Sequence, residues 1–405
     1  MSSWVERAAG CGYDIDHLPY GVFSPGAGRP RVGVRIADSV LDLAPLRPSS
    51  NPTWGWIDDA TSLNPLLAAG PAAWTQLRDR VTAALSDHRR RADVEPHLYP
   101  LSEISLHPCF QVADYVDFYA SEHHAAAVGR LFRPDAEPLL PNWKHLPVGY
   151  HGRSGTIVPS GTPIVRPCGQ RKAPTDPGPT FGPTRRLDVE AELGFVVGAG
   201  STLSHRLSTN DFASHVFGVG LVNDWSARDI QSWEYVPLGP FLGKSFATSI
   251  SHWITPLAAL QAARVPPPPR STPLLDYLAD DPAQPWGLDI ALSIEWNGTT
   301  VSRPPFASMY YTGPQLLAQL TANGASVRTG DLFASGTVSG PKPDEAGSFL
   351  ELSDGGRREI PLAGRVRRTF LEDGDTVTIR ASAPAAGGGR LRLGEVTGTV
   401  LPALC

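Results

Sequence analysis

The run HVFGVGLV (215–222) constrains the fold of this chain more than any other. It is apolar on both faces, as expected of a strand buried on each side. LDVEAELGFVV (187–197) makes a related demand, alternating strictly in its first half and turning apolar throughout in LGFVV (193–197). Further short strands are expected at RVGVRI (31–36), SVLDL (39–43), GLDIALSIEW (287–296) and DTVTI (375–379). The 40 glycines and 40 prolines fit many turns between them. Prolines cluster at 174–183 and 266–269, which marks surface loops. Helices are fewer. Trp74, Leu77, Val81 and Leu85 recur at helical spacing over 71–85, and further helices are expected over 112–128, over 314–323 with Gly324 as C-cap, and over a short polar-striped piece from 224. The pattern predicts a β-rich α+β protein dominated by mixed or antiparallel sheet, with units at 1–107 and 108–405.

Several function classes are disfavoured. Hydrophobic residues at 41% and charged residues at 19% describe a globular chain with a sizeable core. A net charge of −5 without a long basic run argues against nucleic acid as a partner, and Arg89–Arg91 is read as a solvated helix end. The start of the chain shows no apolar signal segment, and no apolar run approaches the ~18 residues of a membrane span, so a cytoplasmic protein is expected. Cys11, Cys109, Cys168 and Cys405 lie far apart with no CxxC pair, so reduced thiols are expected rather than a zinc cage or a disulfide framework. The sequon at Asn297 is better read as a type I′ hairpin turn through Asn-Gly.

Candidate chemistry begins with DVEAE (188–192). A period of two puts Asp188, Glu190 and Glu192 on one face, with Glu190 and Glu192 about 7 Å apart and able to converge. Converging carboxylates repel unless a cation or proton sits between them. Read alone, the segment favours a solvent-facing strand, and the apolar run after it weakens that reading. In DFYASEHH (117–124), Asp117 and His124 are seven apart and would share a helix face. In NDWSARDIQSWEY (223–235), Asp224, Arg228, Gln231 and Tyr235 would form one polar helical stripe, and GPFLGKS (239–245) would deliver Lys244 on a Gly-punctuated loop. SGTVSGP (335–341) offers backbone N–H groups and the Thr337 hydroxyl, SFLELS (348–353) places Glu351 in a short strand, and PVGYHGRS (147–154) says only that a polar loop is present.

Together these segments resemble the fumarylacetoacetase family. The resemblance is carried by LPYGVF (18–23), DFYASEHH, LLPNWKHLPVGYHG (139–152), DVEAE, NDWSARDIQSWEYVPLGPFLGKS (223–245), SGTVSGP and FLELS (349–353), in the family's order over almost the whole chain. It implies a small SH3-like N-terminal β domain, a larger mixed β-roll domain and a homodimer. It implies metal-dependent hydrolysis of a dianionic 1,3-diketone, 4-fumarylacetoacetate, to fumarate and acetoacetate, the last step of tyrosine and phenylalanine breakdown. Asp117, Glu190, Glu192 and Asp224 match the divalent-metal ligands, whose hard oxygens suit Mg²⁺ or Ca²⁺. Lys244 and Thr248 match positions associated with the metal, Lys244 through its carbonyl. His124 matches the general base and Glu351 the carboxylate that orients it. Arg228, Gln231 and the Lys244 side chain match oxyanion donors, and Tyr119, Arg133, Tyr150, Gln231, Tyr235 and Thr337 match substrate contacts. The alternatives left open are another acylpyruvate hydrolase of the superfamily and a non-catalytic metal- or anion-binding relative.

Overall fold

A computed structural model describes residues 2–47 and 54–405. The first unit is a five-stranded antiparallel sheet in the order Leu98–Pro100, Ser39–Asp42, Arg31–Ile36, Tyr20–Pro25 and Ile104–His107. Helix Gly70–Ser86 buries Leu77, Val81 and Leu85, as the spacing predicts.

The second unit is built on an eight-stranded mixed sheet. Its order is Gly149–His151, Tyr115–Phe118, Leu332–Ala334, Ala191–Val197, Val216–Asp224, Thr248–Ile250 and Ile157–Pro159, with Thr255–Pro256 also on the Val216 strand. Every residue of Ala191–Val197 and Val216–Asp224 is buried, because both faces of these strands are covered. Leu193, Phe195 and Leu221 point into the main core with Phe212 and Phe333. On the other face Val196, Val222 and Ile250 join Tyr20, Val34 and Leu66 of the first unit. A six-stranded sheet around Ala291–Trp296, Thr376–Pro384 and Val396–Leu401 completes the unit. Its hairpin turns through Asn297 (φ 48°) and Gly298 (φ 77°), the positive φ pair of a type I′ turn. Helix Gly313–Thr321 forms where expected, and Gly324 follows it at φ 89°.

Four expectations are corrected. The single helix over 112–128 is a strand, Tyr115–Phe118, followed by helix Glu122–Phe132. Tyr115, Val116 and Phe118 fit a pleated surface, and pairing with Leu332–Ala334 overrides the helical spacing. The stripe from Asp224 is split likewise: Asp224 ends a strand and the helix begins at Arg228. Glu351 lies in the short helix Phe349–Leu352 rather than in a strand. Finally, Cys168 and Cys405 are bonded to each other, with Cα atoms 6.4 Å apart, while Cys11 and Cys109 are free. Parallel pairing of Ile164–Val165 with Val396–Leu401 brings these distant cysteines together, which sequence separation conceals.

Candidate active site

Sheet periodicity gathers the acids. Asp117 registers with Ala334, Ala334's strand neighbour is Gly194, and Glu192 registers with Val222, two residues before Asp224. Registered partners and alternate residues share a face, so Asp117, Glu192 and Asp224 project from one side of four adjacent strands. Glu190 joins them from the break between Leu187–Asp188 and Ala191–Val197. One oxygen from each of Asp117, Glu190, Glu192 and Asp224 lies within 4.8 Å of the others, and all four residues are buried. The solvent-facing reading of DVEAE therefore fails. The Tyr150 side chain and the Lys244 side chain, delivered by its loop, lie on the carboxylates of the face that an isolated strand would leave wet.

Two cations are buried against this cluster. Lys244 Nζ donates to Glu190 Oε2 at 2.5 Å and to Asp224 Oδ2 at 2.7 Å. Arg228 reaches Glu190 Oε1 at 2.7 Å through Nη1 and Asp188 Oδ2 at 2.8 Å through Nε. Tyr150 donates to Asp117 Oδ2 (2.8 Å) and Asp224 Oδ2 (3.1 Å), and Thr248 donates to Asp224 Oδ1 (2.8 Å). Burial, then the charge of Asp224, pushes Asp117 well above the usual carboxylate range. Burial, then Asp117 and Glu190, does the same to Glu192. Burial would also raise Glu190, but Lys244 and then Arg228 outweigh it and hold that acid below its ordinary value. Asp117 Oδ1 and Glu192 Oε1 are buried without a hydrogen-bond partner. Five carboxylates, counting Asp188, thus face two fixed cations, and two inward oxygens are unsatisfied. A hard divalent cation fits such a site on charge and on donor type.

His124 stands in the first turn of helix Glu122–Phe132, whose N-cap Ser121 accepts from the His124 N–H at 3.3 Å. Its Nδ1 lies 2.7 Å from Glu351 Oε2, and its Nε2 lies 3.9 Å from Glu190 Oε1. A carboxylate can only accept, so Nδ1 carries a proton, and Nε2 faces the cluster. Ser339 (3.1 Å) and Ser348 (2.7 Å) donate to the same Glu351 oxygen. Burial raises the Glu351 carboxyl, but the charge and hydrogen bond of His124 outweigh it and leave it lowered.

Asp188 was not singled out as a site residue in the sequence, yet it ties two parts together. Besides pairing with Arg228, it accepts from the backbone N–H groups of Phe349 (2.7 Å) and Leu350 (3.0 Å), at the start of the helix carrying Glu351. Its place on the DVEAE face beside the two glutamates was the available signal.

The remaining residues fall in two groups. Tyr119 stacks edge-on to His124 with ring centroids 5.3 Å apart, and Gln231 Oε1 accepts from Arg228 Nη1 at 3.1 Å. Thr337 is buried with its hydroxyl unpartnered. Arg133 instead bonds the Pro138 carbonyl (3.0 Å), leaving its Nε buried and unpartnered, and Tyr235 packs 6.0 Å from the Phe132 ring. These two flank the site without touching the carboxylates. The Lys244 ammonium spends two of its three N–H groups on Glu190 and Asp224. A cavity of about 350 Å³ reaches the cluster between Tyr150, Asp224, Lys244 and Thr248, with Phe241 and Arg153 on its outer wall.

Comparison with known proteins gives the family. Residues 16–108 match the family model described as fumarylacetoacetase N-terminal, and residues 114–401 match fumarylacetoacetate (FAA) hydrolase C-terminal. The chain is 42% identical to the fumarylacetoacetase of Homo sapiens over 418 residues, covering 99% of each. It is 40% identical to that of Arabidopsis thaliana, again over 99% of each. A fumarylacetoacetate hydrolase structure from Exiguobacterium antarcticum shares the fold at TM-score 0.53 and 18% identity, covering 95% of this chain and 99% of that one. With both family models matched and the full-length relatives this similar, the chain belongs to the fumarylacetoacetate hydrolase family.

Proposed function

We propose that this enzyme hydrolyses the carbon–carbon bond of 4-fumarylacetoacetate, giving fumarate and acetoacetate. The observation that carries the reading is the His124–Glu351 pair, 2.7 Å apart, set beside four buried carboxylates within 4.8 Å of one another. A non-catalytic binder has no use for a buried, oriented base. Asp117, Glu190, Glu192 and Asp224 would hold Mg²⁺ or Ca²⁺, which when bound would supply Lewis-acid polarisation of the substrate.

His124 Nε2 takes a proton from water, and the resulting hydroxide adds to the carbonyl next to the fumaryl group. Arg228 Nη2, buried and unpartnered, and the Gln231 amide donate to the developing oxyanion. Lys244 acts indirectly, fixing Glu190 and Asp224. Collapse of the adduct breaks the bond to the methylene carbon, whose electron pair receives the proton held on His124. The new carboxylic acid ionises to fumarate. Arg133, Tyr119, Tyr150, Tyr235 and Thr337 contact the substrate.

The same reading divides the chain near residue 107 into an SH3-like domain and a catalytic domain, and makes the enzyme a homodimer. Support for self-association is the loop beside the cavity, where Val236, Leu238, Phe241 and Leu242 are exposed, Leu238 at 96%. Among the described residues no helix is long and apolar enough to cross a membrane. A cytoplasmic location belongs to the proposal, and the Cys168–Cys405 bond is the observation that weighs against it.

The test follows loss of 4-fumarylacetoacetate absorbance against a panel of acylpyruvates. Preferential turnover of the diketo diacid is expected. A chain that turns over acylpyruvates and leaves 4-fumarylacetoacetate untouched would belong to another branch of the superfamily.

A further inference from the structure

The proposed substrate carries a carboxylate at each end, and the site has few cations left to meet them. Lys244 is committed to Glu190 and Asp224, and Arg228 to Asp188 and Glu190. Arg133, on the His124 side, retains unsatisfied guanidinium capacity and can take one carboxylate. The cavity beside Tyr150 is lined by Lys244, by one further basic chain, Arg153, and by His151. Among the described residues Arg153 makes no ion pair and no side-chain hydrogen bond, and it is exposed to the cavity mouth.

The backbone under Arg153 is nonetheless fixed. Gly152 N–H donates to the Tyr115 carbonyl at 2.9 Å, and a Cβ there would come within 2.3 Å of the Tyr115 ring. The Thr156 hydroxyl lies 3.2 Å from the Arg153 carbonyl and 2.8 Å from the Ser245 carbonyl, tying this turn to the residue after Lys244. A free guanidinium thus stands on an anchored turn, at the outer wall of a cavity whose inner wall is Asp224, Lys244 and Thr248.

We propose that Arg153 binds the substrate carboxylate that Arg133 does not, so that the cavity beside Tyr150 is the subsite for that half of the molecule. Arg153 is then a specificity-determining residue, selecting extended diketo diacids over acylpyruvates with one carboxylate. A guanidinium can meet a carboxylate with two parallel hydrogen bonds, which gives direction as well as charge. The inference rests on the diketo-diacid reading of the site.

The test compares wild type, Arg153→Gln and Arg153→Lys on 4-fumarylacetoacetate and on acetopyruvate, which has one carboxylate. Where acetopyruvate turns over poorly, its competitive inhibition constant is read instead. For Arg153→Gln, KM for the diacid should rise roughly tenfold to a hundredfold, the loss expected for a charge-assisted hydrogen bond, with kcat little changed. The acetopyruvate constant should stay put, and Arg153→Lys should recover part of the loss. Thermal unfolding should be little changed, since among the described residues the side chain makes no ion pair and no hydrogen bond. If wild type cleaves the diacid and Arg153→Gln shows the same KM, or an equal shift for both compounds, this proposal is overturned while the functional reading stands. Absence of diacid turnover in wild type overturns both.

Discussion

Glu351 receives three donors on one oxygen, from His124, Ser339 and Ser348, and so holds the imidazole in one orientation with Nε2 free. Neighbouring His123 has no such partner and is only half-buried, which separates two histidines that sequence could distinguish only by phase. His124→Ala should lower kcat by about 10²–10⁴, the range for loss of a general base, while divalent-ion binding measured by calorimetry survives. Asp224→Asn should lose both, because it removes a cluster oxygen and a partner of Lys244. Near-normal turnover in His124→Ala would remove the base from the scheme. Asp188 invites a different measurement. Breaking a buried ion pair costs about 3–5 kcal/mol, so Asp188→Ala should unfold at markedly lower denaturant and lose activity through Arg228 and the Glu351 helix. Unchanged stability would mean that this pair is not holding the site.

At the scale of elements, the loop from Val236 to Lys244 shows how the site is delivered. Glu234 accepts from the N–H groups of Phe241 (2.9 Å) and Gly243 (2.7 Å), folding the loop back onto its own helix. A Cβ on Gly243 would lie 2.8 Å from the Gln231 backbone nitrogen. Gly243→Ala must therefore push Lys244 away from Glu190 and Asp224, at a cost of about 1–3 kcal/mol in thermal stability and with weaker metal binding. Wild-type melting and metal affinity in this variant would show that the loop tolerates the shift. The strands were the most legible elements in the sequence, because alternation and apolar runs are set by the faces they bury. Helix 71–85 was legible for the same reason. The segment around Asp117 was not, because helical spacing in 112–128 carries no trace of the Leu332–Ala334 strand that captures it. Ser121 as an N-cap was the local clue to where the helix starts. Asp224 and Arg228 fell on one imagined helix through the same limitation. Their convergence with Glu190 comes from the sheet, and the family resemblance, not the spacing, linked them beforehand. The ion pairs of Lys244 were not legible at all, since they depend on where the loop from Val236 returns.

Across the whole molecule, the first unit covers the sheet face from which the carboxylates project. Tyr20 and Ile254 exchange backbone hydrogen bonds at 2.9 and 2.8 Å across the junction. His17 sits there fully buried, within 3.0 Å of the Gly12 carbonyl and 2.8 Å of the Thr255 hydroxyl. Burial holds its imidazole down to about 3, against 6.5 for an ordinary histidine. Above pH 6.5 neither folded nor unfolded chain protonates this group, so it is silent. Between 6.5 and 3 the unfolded chain binds a proton that the folded chain refuses, so stability falls with acidification, by about 1.4 kcal/mol per pH unit from this group. His17→Gln should flatten that limb of the stability–pH curve relative to wild type, and an identical slope would place the sensitivity elsewhere. The proposed hydrolysis turns on the four buried carboxylates and their two unsatisfied oxygens, which would hold a divalent ion. Its most direct test is 4-fumarylacetoacetate turnover by chelator-stripped protein as Mg²⁺ or Ca²⁺ is returned. Negligible turnover is expected in the stripped protein, with recovery that saturates with bound ion. Full turnover with chelator in excess and no metal in the protein would contradict it.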